Sequence, residues 1–330
     1  MPKTIETLAD AVYPSFAMLA GMELDLFTPL KDGPLTADEI AQAAGTDRVK
    51  TAPLLHALVA IGLLKFEAGR FLNSPEAGRF LVRGRPDYIG MRHHAYRRRW
   101  NSVLSVAETI RAGVPQRGMD YASMPTDVRE SFYRGTFTEC LAAGRELAKS
   151  RDFSGFRNLV DVGGGSGGLA IAMAEAWPDL SITVADLPAI APVAQRYIDE
   201  AGFTKRINVC STNVVSDPLG GSYDIAVMRG LFPVLTRDQI RSALDNVYPA
   251  LKPGSPLYVV GWILDDSRTS PLSYATYNLL FVNDYTEGLI RTEAEHRVLL
   301  EEASFEYVSR QPSAATYAAD FILVRKPDAP

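Results

Sequence analysis

One stretch restricts the fold of this chain more than any other: NLVDVGGGSGGLAIAMAEAWPDLSITVADLP, from Asn158 to Pro188. LVDV is an apolar run of strand length, and Gly163, Gly165 and Gly168 satisfy G-x-G-x-x-G at its carboxyl end. A helical run follows, then a second strand that ends on Asp186. Glycine permits positive φ and lets a ligand approach the backbone at a helix N-terminus. Strand, glycine turn, helix and strand form the opening unit of a doubly wound sheet. The remainder agrees with this, with strands expected near 157–162, 181–185, 207–211, 223–228 and 256–263 and helical patterns between the earlier ones. The expected class is therefore α/β and Rossmann-like.

A glycine loop of this kind also fits dinucleotides. Two carboxylates separate the readings. Asp161 lies inside the first strand, two residues before the first glycine, where it can accept a hydrogen bond from an ammonium group and would repel a pyrophosphate. Asp186, at the end of the second strand, is placed to accept from ribose hydroxyls. An acid before the loop and another after the next strand suit S-adenosylmethionine, whose amino-acid portion carries the ammonium.

The chain before this loop reads differently. GPLTADEIAQAAG offers Thr36 as N-cap and Glu39 three residues on, a capping box. VKTAPLLHALVAIGLLKFEAGRFLNS adds a second helix and two short strands around Glu67-Ala68-Gly69, completing a winged-helix pattern. Such a pattern reads DNA or pairs subunits. The candidate recognition helix is mostly apolar and the net charge is -5, so subunit pairing is expected and no nucleic-acid partner. Residues 5–30, with Phe16, Leu19, Leu24 and Phe27, are too rich in large apolar side chains for a solvated arm. The expected division is 1–110 for the pairing domain, 111–150 for linking helices and 151–330 for the ligand-binding domain. Two cysteines, Cys140 and Cys210, give no disulfide framework and no thiolate metal cluster. The N-terminus does not read as a signal peptide, and no run of about eighteen apolar residues occurs. A soluble, cytoplasmic protein without metal or membrane is expected.

LVDVGGGSGGLAIAMAEAWPDLSITVADLP resembles the S-adenosylmethionine-dependent small-molecule O-methyltransferases of the caffeate and acetylserotonin type. The likeness runs along nearly the whole chain. AMLAGMELDLFTPLKDGPLTADEIAQAAGTD resembles that family's winged-helix dimerisation domain, and ALKPGSPLYVVGWIL and RTEAEHRVLLEEASFEYV its later strands and last helix. The resemblance implies a class I methyltransferase domain, a homodimer and S-adenosylmethionine as cofactor. Carried over, Asp161, Gly163 and Gly165 line the methionine end, Asp186 binds the ribose and Leu187 flanks the adenine. Asn213 stands where the family has an adenine-binding acid and Val214 where it has an aromatic. Arg229 takes the place of a usual lysine.

The family's catalytic signature after the fourth strand is Leu-His-Asp-Trp. Here the matching run is RGLFPVLTRDQ, with Phe232 on the histidine, Pro233 on the aspartate and Val234 on the tryptophan. Ile290 replaces the acid that would steady the histidine. A phenol with a pKa near 10 needs general-base help at pH 7, whereas a thioether sulfur carries no proton. Loss of the base points to a nucleophile competent as it stands, or to one served by another residue.

SYATYNLLFVNDY reads as a helix roofing the acceptor pocket, with Tyr274, Tyr277 and Phe281 on one face and Tyr285 one turn on. Tyr277 is the candidate to orient the acceptor or take its proton. Tyr133 and Phe137, in the second helical block, and Phe232 itself complete the expected acceptor wall. MRHHAYRRRWNSV is the densest basic stretch, and helical spacing puts His93, Tyr96, Arg97 and Trp100 on one face. Arg97 or a neighbour is there the candidate clamp for a carboxylate. His56 and His296 read as structural or surface residues. A base-free pocket with a carboxylate clamp favours S-methylation of a thioether acid, as in the similar bacterial enzymes acting on 4-methylthio-2-hydroxybutyrate. The alternatives are O-methylation of a phenol or polyketide, C-methylation of an activated carbon, and a ligand-sensing winged-helix regulator without catalysis.

Overall fold

The computed structural model describes residues 2–116, 118–312 and 320–328. Its contacts divide the chain into two units, Met1–Arg98 and Arg99–Pro330. The division lies earlier than the residue-110 boundary expected from sequence, and the expected linking helices fall in the second unit.

The first unit holds helices α1 (Lys3–Asp10), α2 (Val12–Glu23), α3 (Ala37–Ala44) and α4 (Arg48–Ala60), then the hairpin β1 (Leu64–Glu67) and β2 (Arg70–Asn73), then α5 (Pro75–Phe80). The capping box forms as read: Thr36 Oγ1 accepts from Glu39 N, and Glu39 accepts from Thr36 N at 2.7 Å. Positive φ at both Ala68 and Gly69 turns the hairpin. Leu26, Phe27, Ile40, Leu55 and Leu58 fill this unit's core. Phe27 and Leu19 are therefore buried in their own unit, whereas Ile5, Leu8, Val12, Tyr13 and Phe16 leave an exposed apolar face on α1 and α2.

Helix α6 (His93–Val103) spans the division. The second unit continues with α7 (Val106–Ala112) and the 25-residue α8 (Thr126–Ser150). β3 (Asn158–Val162), α9 (Gly168–Ala176), β4 (Ser181–Asp186), α10 (Ala191–Glu200), β5 (Ile207–Ser211) and β6 (Ile225–Arg229) follow. After these come α11 (Arg237–Val247), β7 (Pro256–Gly261), α12 (Leu272–Asp284), α13 (Glu293–Glu302), β8 (Glu306–Gln311) and β9 (Asp320–Arg325). The sheet order is β5-β4-β3-β6-β7-β9-β8. β5, β4, β3, β6 and β7 run parallel, and β9 is antiparallel to both its neighbours, so the sheet is mixed where the sequence alternation announced only its parallel part.

LVDV is buried throughout, as expected of a central parallel strand covered on both faces. α8 lies close against α9 because Gly144 has no side chain: a Cβ there would meet the Leu169 carbonyl at 2.7 Å and Ala172 Cβ at 2.8 Å. That contact brings α8 beside the glycine loop.

Candidate active site

Asp161 is the penultimate residue of the buried strand, with 0% exposure; neither carboxylate oxygen has a hydrogen bond of ordinary geometry among the described residues, although the Ala170 amide and Arg229 favour its charged form. Burial, reinforced by the neighbouring Asp186, pushes its pKa up to about 7. The glycines hold the loop against it. A Cβ on Gly164 would lie 2.8 Å from Asp161 Oδ2 and from Val184 Cγ1, so only glycine fits. Gly163 and Gly165 take positive φ, and Gly165 passes under the Tyr133 ring.

Asp186 fixes the loop from the other side. It accepts from Gly165 N and from Leu187 N, each at 2.7 Å. Removal from bulk water pushes its pKa up to about 6, against the pull of those two amides. A carboxylate has about four lone-pair directions, so capacity remains for two ribose hydroxyls. Leu187 packs beside Tyr133, Ile190 and Val193. Arg229 donates from Nη1 to Cys140 Sγ at 3.3 Å, while its buried Nε–H has no acceptor. Cys140 is a thiol raised by burial, with Ser166 and Arg229 as neighbours.

An unpaired buried carboxylate and an unpaired buried guanidinium N–H are costly to leave unmatched. Together they would complement an α-amino acid zwitterion, Asp161 taking the ammonium and Arg229 the carboxylate. The residues present thus fit the methionine end of S-adenosylmethionine, with Asp186 and Leu187 for the nucleoside. The bound donor supplies an electrophilic methyl group on a sulfonium. Asn213 uses its side-chain oxygen to accept from Val215 N at 3.1 Å, and Val214 is 8% exposed in the sheet core.

The acceptor candidates separate into groups. Tyr277 lies 5.0 Å from Trp262 and 5.5 Å from Phe281 between ring centroids, and Phe281 lies 6.1 Å from Tyr285. Tyr285 shares a 2.7 Å hydroxyl contact with Tyr121, whose ring meets Phe132. Tyr274 instead gives its hydroxyl to Asp320 at 3.1 Å, and Phe137 stacks on Tyr197 at 4.5 Å. Phe232 is 2% exposed and stacks on His296 at 5.5 Å, the rings within 7° of parallel. Ile290 is fully buried. His296, which the polar look of its helix had suggested to be structural or surface, is buried; its Nδ1 lies 2.8 Å from the Thr292 carbonyl and its pKa is lowered to about 4 by burial.

The basic stretch forms a helix as read, with His93, Tyr96, Arg97 and Trp100 on its less buried side. Arg97 is exposed and pairs with Glu23 in the first unit at 2.7 Å. Tyr96 packs on that unit's core, and His93, beside His94, is held neutral with a pKa near 4, chiefly by burial. Trp100 is half-buried in the second unit. Arg92 and Arg99 are the buried cations of the stretch, and Arg99 is bidentate to Glu139. Projection alone had set Arg99 on another face, and its partner lies in a helix that spacing cannot pair with it. Gly164, Ser166 and Cys140 were likewise missed; the signal for Gly164 was its place between Gly163 and Gly165.

A doubly wound sheet with these two acids around a glycine loop defines a class I, S-adenosylmethionine-dependent methyltransferase. The O-methyltransferase domain family matches residues 111–306, and the O-methyltransferase dimerisation domain family residues 6–83. The 3-hydroxy-5-methyl-1-naphthoate 3-O-methyltransferase of Streptomyces sahachiroi is 32% identical, over 92% of this chain and 89% of that one. The N,N-dimethyltransferase OxyT of Streptomyces rimosus is 31% identical, over 92% and 90%. The structure of human N-acetylserotonin methyltransferase in complex with S-adenosylmethionine superposes with a TM-score of 0.83 at 25% identity, over 98% of this chain and 97% of that one. This chain belongs to the S-adenosylmethionine-dependent O-methyltransferase family of the acetylserotonin and caffeate type. No helix among the described residues is long and apolar enough to cross a membrane.

Proposed function

We propose that this enzyme methylates a hydroxyl group on a planar aromatic small molecule of the phenolic or polyketide type. The observation that carries the reading is the run of rings Trp262, Tyr277, Phe281, Tyr285 and Tyr121, each centroid 5.0–6.4 Å from the next, a surface suited to stacking a flat acceptor. The names of the relatives support it, since two act on a hydroxynaphthoate and on acetylserotonin.

The thioether acid expected from sequence is the second reading, and the buried Phe232 in place of a base favours it. Its clamp does not: Arg97 spends its charge on Glu23. A panel with methyl-labelled S-adenosylmethionine decides between them. The expected result is label in a hydroxynaphthoic acid or naphthol, and little in 4-methylthio-2-hydroxybutyrate. Label confined to the thioether acid, at a maximal rate flat from pH 6 to 10, would replace the first reading with the second.

The exposed apolar face of α1 and α2 and the match to a dimerisation domain support a homodimer built through the first unit. Light scattering at micromolar concentration is expected to return twice the 36.1 kDa chain mass. A value equal to one chain would sink this assembly.

A further inference from the structure

A carboxylate buried without well-formed hydrogen bonds favours its neutral form, because the charge loses its water and gains little in return. Asp161 meets that condition. It is fully buried, and neither oxygen has a hydrogen bond of ordinary geometry among the described residues. The loop presses on it as well, since a Cβ on Gly164 would stand 2.8 Å from Asp161 Oδ2. A second carboxylate, Asp186 at the end of the adjacent strand β4, opposes its charge. Two acids this near disfavour each other's ionisation. The groups around them are a permanent cation, two neutral side chains and a paired carboxylate. Arg229 on β6 favours the charged form of Asp161, as does the Ala170 amide in the first turn of α9. From α8, Cys140 is a thiol that burial raises, and Glu139 beside it is held by Arg99. Tyr133, also on α8, feels Asp186 and is held neutral by burial. The balance leaves Asp161 raised to about 7 and Asp186 to about 6.

Resting on Asp161 as the seat of the donor's ammonium, and not on the choice of acceptor, we infer that the ammonium and a proton compete for this carboxylate. The donor-free enzyme carries the proton, and donor binding expels it to solvent. The O–H bond of the Asp161 carboxyl breaks, the proton passes to the buffer, and the carboxylate then accepts from the ammonium. The demethylated product, S-adenosylhomocysteine, keeps the same ammonium. The proton therefore stays out through methyl transfer and returns only when the product leaves. Affinity for both is full above pH 7 and is lost as pH falls through it. Acid thus weakens donor and product together, through the loop, whatever molecule is methylated.

Proton release can be counted by titration calorimetry of the full-length enzyme in buffers of different ionisation enthalpy. S-Adenosylhomocysteine is the probe that carries the ammonium. 5′-Methylthioadenosine has the same nucleoside and no amino-acid portion. Contact between ribose and Asp186 is common to both, so their difference isolates Asp161. That difference is expected to be about 0.9 proton released at pH 6, about half a proton at pH 7 and about a quarter at pH 7.5. Linkage then requires S-adenosylhomocysteine to bind about twentyfold more weakly at pH 5.5 than at pH 7.5, beyond any change shared with methylthioadenosine. Infrared difference spectra identify the group. At pH 6 the donor-free wild type should show a protonated-carboxyl band that Asp161→Asn lacks, and S-adenosylhomocysteine should remove it. Equal proton release by the two probes, or an affinity ratio independent of pH, overturns the inference while leaving the donor site in place. S-Adenosylhomocysteine binding no tighter than methylthioadenosine at pH 7.5 would mean that Asp161 seats no ammonium, which overturns that reading and the inference together.

Discussion

Asp161→Asn is expected to make the donor-free protein more stable at pH 8 and to destroy its hold on S-adenosylmethionine. The carboxylate is fully buried, unpaired, and raised from 3.8 to about 7. The folded chain therefore binds this proton more tightly than the unfolded chain does. The stability it contributes is fully present below about pH 4 and is lost as pH rises through 7. The gap corresponds to on the order of 4 kcal/mol at pH 8. Asparagine keeps the shape and removes the charge, so urea unfolding should show a gain of a few kcal/mol at pH 8 and almost none at pH 4. Calorimetry on the same variant should show donor affinity down by about a hundredfold, since a charge-assisted bond to the ammonium is gone and a neutral amide stands in its place. Equal stability of the two proteins at pH 8 would mean that Asp161 already has a partner and is not waiting for one.

Asp186→Ala should weaken donor binding at least tenfold by a different route. Each charge-assisted hydrogen bond to a ribose hydroxyl contributes about 1.5–3 kcal/mol. The variant also frees the Gly165 and Leu187 amides, which Asp186 now holds at 2.7 Å, so the loop loses its set shape before any ligand arrives. Titration calorimetry measures the sum, and NAD should show no binding to wild type in the same cell. Unchanged affinity would place the ribose elsewhere. The two acids thus differ in kind: removal of Asp161's charge relieves the free protein, whereas removal of Asp186 loosens it.

The geometry of the candidate donor loop was legible because its causes are local. A glycine must sit where the backbone turns left-handed or meets a carboxylate, and Asp161 and Asp186 close strands that pair directly, Asp161 with Val184 in register. The capping box and the hairpin turn are local in the same way. The acceptor half depends on which helix meets which, and periodicity does not carry that. It grouped Tyr274 with Tyr277 and Phe281, which do pack in one cluster, but did not show that the Tyr274 hydroxyl reaches Asp320, far along the chain and paired with Arg310. It set His93, Tyr96, Arg97 and Trp100 on one face, as the helix has them, but could not say that Arg99, on the other side, is matched to Glu139 on α8. The antiparallel edge strands also escaped the reading, because alternation of strands and helices speaks only for parallel crossovers.

The roofing helix α12 is fastened at its two ends. Near its start Tyr274 is tied to Asp320, and in its last turn Asn283 accepts from Thr109 at 2.6 Å and donates to the Ser102 carbonyl at 2.9 Å. Between these fastenings Asn278 accepts from Ile290 N at 2.6 Å, while Tyr277 and Phe281 meet other rings. Side chains at such positions can be exchanged while the helix stays seated and the donor loop, on separate strands, stays untouched. Descent can therefore rewrite which molecule is accepted faster than it can alter which group is given, and one scaffold diversifies by changing its ceiling while keeping its floor.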